Sequence, residues 1–338
     1  EIVRGDWSSD VCSSDLTTVS RALNGYMDVS EKTRKHILEV VERLDYAPDL
    51  NARSLGGKAD TTIALLTSEL TPTNESGFVY GLISGLFRQC NDMGCEFVLL
   101  ATNTMKQQKL SFLQLCKRKN LSGVVVTGLK VDDPYYHEIL DSDIPCAIID
   151  MPVRGRKKCE IAVDNVAASK EATAYLIGLG HRNIGMINGG KTADVSGQRY
   201  SGYVSALVEA GIPLQLDYMK YCDFLEDTAC EKTEELLTKY PEITALFCAS
   251  DVMAIGAIRA VEQMGMRVPE DISVMGFDDI PIAPYVYKGI STVRQSPLLM
   301  GIEGGKAIWK MLSGEEVDSR VILPHEMVIR GTTGKARV

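Results

Sequence analysis

Residues 123–128 read GVVVTG and residues 146–150 read CAIID. Neither run alternates polar and apolar residues as a strand with one wet face does. Both are short, rich in β-branched residues and closed by Gly or Asp, the pattern of a parallel strand covered on both faces. The same texture extends in both directions: IALLT (63–67) and FVLLA (97–101) before these runs, and IAVD (161–164), NIGMIN (183–188), ALFCAS (245–250) and ISVMGF (272–277) after them. Amphipathic stretches of helical period lie between: Tyr80–Met93, Lys106–Asn120 and Tyr135–Leu140 in a first series, then Ala167–Leu179, Tyr203–Ala210, Asp227–Tyr240 and Val252–Met264 in a second, with a short strand at Met219–Cys222. Alternation at this spacing predicts an α/β protein with doubly wound parallel sheets, and two series predict two lobes. The tail adds STVRQ (291–295), a helix around Leu298–Leu312 and strands near Val321–Leu323 and Glu326–Ile329.

A chain of 338 residues suits two or three units. Its 45% hydrophobic and 24% charged residues are those of an ordinary globular protein. No apolar run approaches the roughly 18 residues of a membrane span, and no stretch has the build of a signal peptide, so the expected compartment is the cytoplasm. The net charge of −9 argues against nonspecific nucleic-acid binding by the whole chain, though not against one local DNA-binding module. Nine cysteines are present. Cys90, Cys95, Cys116, Cys146, Cys159, Cys222, Cys230 and Cys248 form no CxxC pair and mostly sit in apolar segments. The four histidines do not cluster near them, so buried reduced thiols are expected rather than a metal site.

Residues 1–16, EIVRGDWSSDVCSSDL, lack any helical apolar period and read as loop or disorder. At Thr17 the texture changes. TTVSRALNG (17–25) is a short helix with Val19, Ala22 and Leu23 on one face, ended by Asn24-Gly25. Ser30 is a good N-cap for a second helix, with Val29 as its hydrophobic staple and Ile37, Val40, Val41 and Leu44 as its apolar stripe. That helix stops before Pro48; NARSL (51–55) offers one more turn, and GGKAD (56–60) a flexible joint. Residues 17–59 hold seven basic and six acidic side chains, a balance of +1 against a negative remainder. Two such helices suit a helix-turn-helix, and also an ordinary helical hairpin.

The combination is sharper than its parts. TTVSRALNG, VSEKTR (29–34) and LDYAPDLNARSLGGK (44–58) resemble the lactose/galactose-repressor family, as do LGHRNIGMI (179–187), RYSGY (199–203), ASDVMAIGAIRA (249–260), DISVMGFDD (271–279) and HEMVIRGTT (325–333), in the family's order. The resemblance implies a helix-turn-helix headpiece and hinge helix over 17–59, and over 60–338 a two-lobed effector and dimerisation domain like the type I periplasmic binding proteins. The first lobe would span about 60–161 and 292–322, the second about 162–290 and 323–338. It implies a homodimeric repressor that binds operator DNA, is controlled allosterically by a sugar-like effector, and is no enzyme; no cofactor is implied. Leu16 and Thr17 match the start of the base-reading helix, and Arg21 is the best candidate for a bidentate contact to guanine. Thr18, Ser20, Asn24, Ser30, Thr33 and Tyr46 match positions that touch or support phosphates. Leu55 would wedge into a minor-groove step, with Ala52 beside it. Before TVSR, however, the family has a first helix, a turn and a Val-Ser pair, where this chain has SSDVCSSD. Residues 1–16 are therefore expected to be non-native, an assembly error or scar, and the chain as written to bind operator poorly.

In doubly wound lobes ligands sit at the carboxyl ends of strands. Asp150 ends CAIID, Ser250 and Asp251 follow ALFCA, Asp278 follows ISVMGF, and Arg199 is expected in the loop after NIGMIN. Carboxylates and an Arg suit a polyhydroxylated ligand. The resemblance points to Asp150, Arg199, Ser250 and Asp278 as contacts, with Phe224 stacking on a sugar face and Phe78 reaching in from the first lobe. The bland reading of each acid is a helix N-cap. Gly185–Thr192 formally matches the phosphate-loop pattern GxxxxGK[ST], but its first residues belong to a strand and no helix is expected directly after Thr192. His181 is expected to cap the preceding helix. Two rivals remain: an exported solute-binding protein, which would need a signal and no headpiece, and a nucleotide-dependent enzyme, which ATP–Mg calorimetry would reveal.

Overall fold

The computed structural model describes residues 16–23, 26–43, 61–68 and 77–337, in two compact units divided between Thr61 and Thr62. In the first unit, α1 (Leu16–Leu23) and α2 (Glu31–Arg43) pack through Ala22, Val29 and Ile37, with Val19 and Val41 against them. Val29 is buried at the staple position. Ser30 caps α2: its Oγ accepts from the Thr33 amide at 3.2 Å and meets Thr33 Oγ1 at 2.7 Å. Residues 1–15, Asn24, Leu44, Tyr46, Ala52 and Leu55 lie outside the described residues.

The second unit carries two parallel sheets. The first has the order β11-β5-β4-β3-β1-β2, from β1 (Thr62–Ser68), β2 (Glu96–Thr102), β3 (Gly123–Thr127), β4 (Cys146–Ile149), β5 (Lys158–Val163) and β11 (Arg320–Leu323). The second has the order β7-β6-β8-β9, from β6 (Ile184–Asn188), β7 (Met219–Tyr221), β8 (Ala245–Cys248) and β9 (Ser273–Met275). Every residue of β1, β3, β4, β5, β6 and β8 is buried, as continuous apolar runs require. The pleat divides them: Ile63, Leu65, Val125 and Ala147 join one core, while Ala64, Leu66, Val124, Val126 and Cys146 join another with Phe112, Tyr135 and Ile139. Two short strands, β10 (Thr292–Arg294) and β12 (Glu326–Val328), pair antiparallel outside both sheets.

Helices cover the sheets. On the first are α3 (Gly77–Met93) and α11 (Pro297–Ser313), which pack so closely that a Cβ on Gly85 would overlap the Leu298 carbonyl. The single helix expected over Lys106–Asn120 is instead two, α4 (Thr104–Lys109) and α5 (Phe112–Arg118), because Ser111 caps a new start, its Oγ accepting from the Gln114 amide at 3.2 Å. Next comes α6 (Pro134–Asp141). The second sheet carries α7 (Asn165–Gly178), α8 (Asp194–Glu209), α9 (Glu226–Lys239) and α10 (Asp251–Gln263). Here α8 starts nine residues before the expected Tyr203. The eight described cysteines are free and all but Cys95 are buried, and burial pushes the Cys90, Cys116 and Cys159 thiols up to about 12. Among the described residues no helix is long and apolar enough to cross a membrane.

Candidate functional site

The carboxyl ends of both parallel sheets open on one cavity of about 420 Å³, within the usual range for small-molecule sites. Thr67 and Ser68 end β1, Thr127 ends β3, Asp150 follows β4, Asp223 and Phe224 follow β7, Ser250 follows β8 and Asp278 follows β9; all line it. Phe78 enters from the first turn of α3. All six expected effector residues, Phe78, Asp150, Arg199, Phe224, Ser250 and Asp278, are thus brought together. A hydrogen bond from the Val131 amide to the Thr192 carbonyl, 3.1 Å, joins the loop after β3 to the loop before α8 across the mouth.

Arg199 is the centre of the site. It lies in the second turn of α8 and not in a loop, and is 3% exposed. Its Nε donates to Asn165 Oδ1 at 2.9 Å, its Nη1 donates to the Ala249 carbonyl, and its guanidinium lies 3.7 Å from the Phe277 ring centroid. Asp278 Oδ1 stands 3.8 Å from Nη1 and accepts from Gln295 Nε2 at 2.6 Å. Asp150 Oδ1 accepts from Asn165 Nδ2 at 3.3 Å. Burial pushes the carboxyls of Asp150 and Asp278 up to about 6, against the downward pull of Arg199 and of their amide partners. Burial also lowers the Arg199 pKa, opposed by Asp278 and Asp150, yet a guanidinium stays charged at any working pH.

Neither Asp150 nor Asp278 is an N-cap. Ser250 is one: its Oγ accepts from the Met253 amide at 3.2 Å while it lines the cavity. Asp251, at the first position of α10, is wholly buried, and its carboxylate accepts from Thr292 Oγ1 at 2.6 Å and the Ile280 amide at 2.9 Å, tying β10 and the Asp278 loop to the helix. A Cβ on Gly276 would overlap that carboxylate, so glycine is required there. Asp150, Asp223, Phe224 and Asp278 all have positive φ, at 55°, 50°, 60° and 115°. Such backbone costs about 1 kcal/mol or more each and tends to gather at functional sites.

Two further expectations need correction. A helix does begin two residues after Thr192, so the absence of one is no argument against a phosphate loop. What removes the match is that Gly185–Asn188 are strand, Lys191 Nζ lies 5.5 Å from the Tyr221 ring centroid, and the first residue of α8 is Asp194. The His181 side chain does not cap the preceding helix. Its Nδ1 pairs with Thr244 Oγ1 at 2.8 Å and its Nε2 with Ser273 Oγ at 3.1 Å and the Gly334 carbonyl at 3.0 Å; only its amide, donating to the Leu176 carbonyl at 3.3 Å, closes the helix. Thr67, Ser68, Thr127, Lys130, Asp194, Asp223 and Gln295 also line the cavity and went unnamed. The strand-end argument that found Asp150 reaches Thr67 and Thr127 equally.

Of the expected DNA contacts, Leu16, Thr17, Thr18, Ser20 and Arg21 fall within α1. Arg21 pairs with Asp28 and stands 5.6 Å from the Tyr26 ring centroid. Ser30 and Thr33 sit together at the N-terminus of α2, beside Glu31 at its first position.

Residues 15–49 match the model of bacterial regulatory proteins of the lacI family, and residues 173–333 match a periplasmic binding protein-like domain. The probable HTH-type transcriptional repressor ExuR of Bacillus subtilis (strain 168) is 30% identical over 316 residues, 93% of each chain. The chain belongs to the lacI family of bacterial regulatory proteins. It is accordingly a DNA-binding transcriptional regulator and not an enzyme. The regulator CelR of Thermobifida fusca is also 30% identical, over 93% of each chain. A solved CelR–cellobiose complex is 28% identical with a TM-score of 0.75, covering 94% of this chain and 95% of its own. A lac repressor dimer bound to operator and an anti-inducer, 24% identical with a TM-score of 0.80 over 94% and 95%, shares the fold.

Proposed function

We propose that this lacI-family chain is a cytoplasmic, homodimeric repressor whose operator affinity is set by a polyhydroxylated effector in the cavity between its two sheets. The observation that carries this reading is the convergence of Asp150, Arg199, Ser250 and Asp278, with Phe78 and Phe224, at the carboxyl ends of both sheets. Carboxylates beside a fixed guanidinium offer a sugar both acceptors and a donor, and the two rings offer it an apolar face. The cellobiose held by CelR is a ligand of that chemistry. The lobes meet at this cavity, the first about 60–161 and 292–322, the second about 162–290 and 323–338. Ligand binding changes their closure, and the change reaches DNA through the hinge at Ala52 and Leu55. In the headpiece Leu16, Thr17 and Arg21 read bases, while Thr18, Ser20, Asn24, Ser30, Thr33 and Tyr46 meet phosphates. Arg21 must leave Asp28 to do so.

Footprinting on the promoter upstream of its own gene tests the reading. Residues 1–15 are first replaced by a helix-forming segment of the family, and sugars are then added. Protection that a sugar alters is expected. No protection, or protection indifferent to every small molecule offered, refutes it. A gel shift with the unaltered chain should show weak binding only, and tight specific binding would show the first residues to be competent.

A further inference from the structure

We propose, resting on the effector reading above, that the cavity selects an uncharged carbohydrate and rejects the acid sugar or sugar phosphate of the same stereochemistry. Beside the hydroxyls of Thr67, Ser68, Thr127 and Ser250, which can donate or accept, three side chains around Arg199 offer acceptance. Gln295 is 4% exposed and lines the cavity; its Nε2 is spent on Asp278, and its Oε1 is buried with no partner. A buried acceptor in that position calls for a donor on the ligand. Asp150 and Asp278 have each spent one oxygen on an amide, so what they still offer, when ionised, is acceptance. A hydroxyl donates to all three groups. A carboxylate or phosphate oxygen donates to none of them.

Charge points the same way. Asp150, Asp194, Asp223 and Asp278 line the cavity against Lys130 and Arg199. The Arg199 charge is answered inside the protein, by Asp278 at 3.8 Å and by the Ala249 carbonyl. Helix N-termini, the usual berth for an anion, are pre-empted in two of the helices that open here. Asp194 occupies the first position of α8, and Asp251 that of α10 behind the Ser250 cap. An entering anion would therefore meet these carboxylates, and like charges repel.

Calorimetric titration of the full chain at pH 7.5 with matched probes reads this directly: D-glucose, D-galactose, D-xylose and cellobiose beside D-glucuronate, D-galacturonate and D-glucose 6-phosphate. The expected result is at least one neutral probe that binds, with its acidic counterpart at least tenfold weaker. In Asp194→Asn and Asp223→Asn proteins that gap narrows severalfold, while the neutral sugar changes less than the acid. An acid sugar or sugar phosphate that binds as tightly as its neutral partner, or more tightly, overturns the charge selection and leaves the effector reading intact. If no probe of either charge binds, and no other neutral polyol does, the effector reading itself falls and this inference with it.

Discussion

Replacing Arg199 with Met removes the guanidinium and its charge at the centre of the cavity while keeping an unbranched apolar stem. In the native protein Asp150 and Asp278 titrate near 6 instead of 3.8. A carboxyl raised in the folded state binds its proton more firmly there than in the unfolded chain. Its contribution to stability is therefore full below about pH 4 and lost as pH rises through 6. Between pH 5 and 7 each group gives up about one pH unit of that linkage, about 1.4 kcal/mol. Without Arg199 both carboxyls lose the cation that holds them down, so they rise further and the loss extends to higher pH, by about 1.4 kcal/mol for each unit a group rises. The cost of Arg199→Met should thus be greater at pH 7 than at pH 5, by about 1.4 kcal/mol for each of the two carboxyls that rises by one unit. It adds to a pH-independent loss of about 2–3 kcal/mol from the bonds to Asn165 and Ala249. Urea denaturation followed by circular dichroism at pH 5, 6 and 7 measures it. A cost that is equal at the two ends, or larger at pH 5, refutes the electrostatic account of the site.

Gly189→Ala would overlap the Phe224 ring and bring its Cβ to 2.6 Å from Ser196 Oγ; calorimetry should show at least tenfold weaker sugar binding, with a stability loss of about 1–3 kcal/mol. Gly85→Ala, driven into the Leu298 carbonyl between α3 and α11, should cost about 3 kcal/mol in urea midpoint analysis and leave the sugar stoichiometry at one per chain. Ser30→Ala removes the cap of α2, worth about 1 kcal/mol; hydrogen exchange of amides in α2 should speed up about fivefold, and Ser30→Asp should restore protection.

Much of the architecture was legible because both faces of each central strand are buried, which leaves an uninterrupted apolar run in the sequence. The misreadings have local causes. Across Lys106–Asn120 the apolar period continues through Ser111, and only the cap bond to Gln114 shows that the helix restarts. The start of α8 was hidden for a different reason. Over Asp194–Tyr200 one side of the helix faces the cavity, and it carries Asp194 and Arg199 where a core-facing helix would carry Leu or Ile. A helix that lines a polar ligand site loses the apolar stripe by which helices are recognised.

The same reasoning separates what was visible of the site from what was not. Strand ends are fixed by the pattern of strands, so Asp150, Ser250 and Asp278 could be placed at the cavity from position alone. Their partners could not. Arg199 is held by Asn165, 34 residues away, and by Ala249, 50 residues away; Asp278 is held by Gln295, which arrives only where the chain leaves the second sheet for β10 and α11. These are links between separate crossings of the chain, and no local period records them. They also determine the chemistry. With its carbonyl oxygen left unpartnered beside the raised carboxyl of Asp278, Gln295 asks the ligand of this pocket for a donor, and that demand could be read only once the chain had folded back on itself.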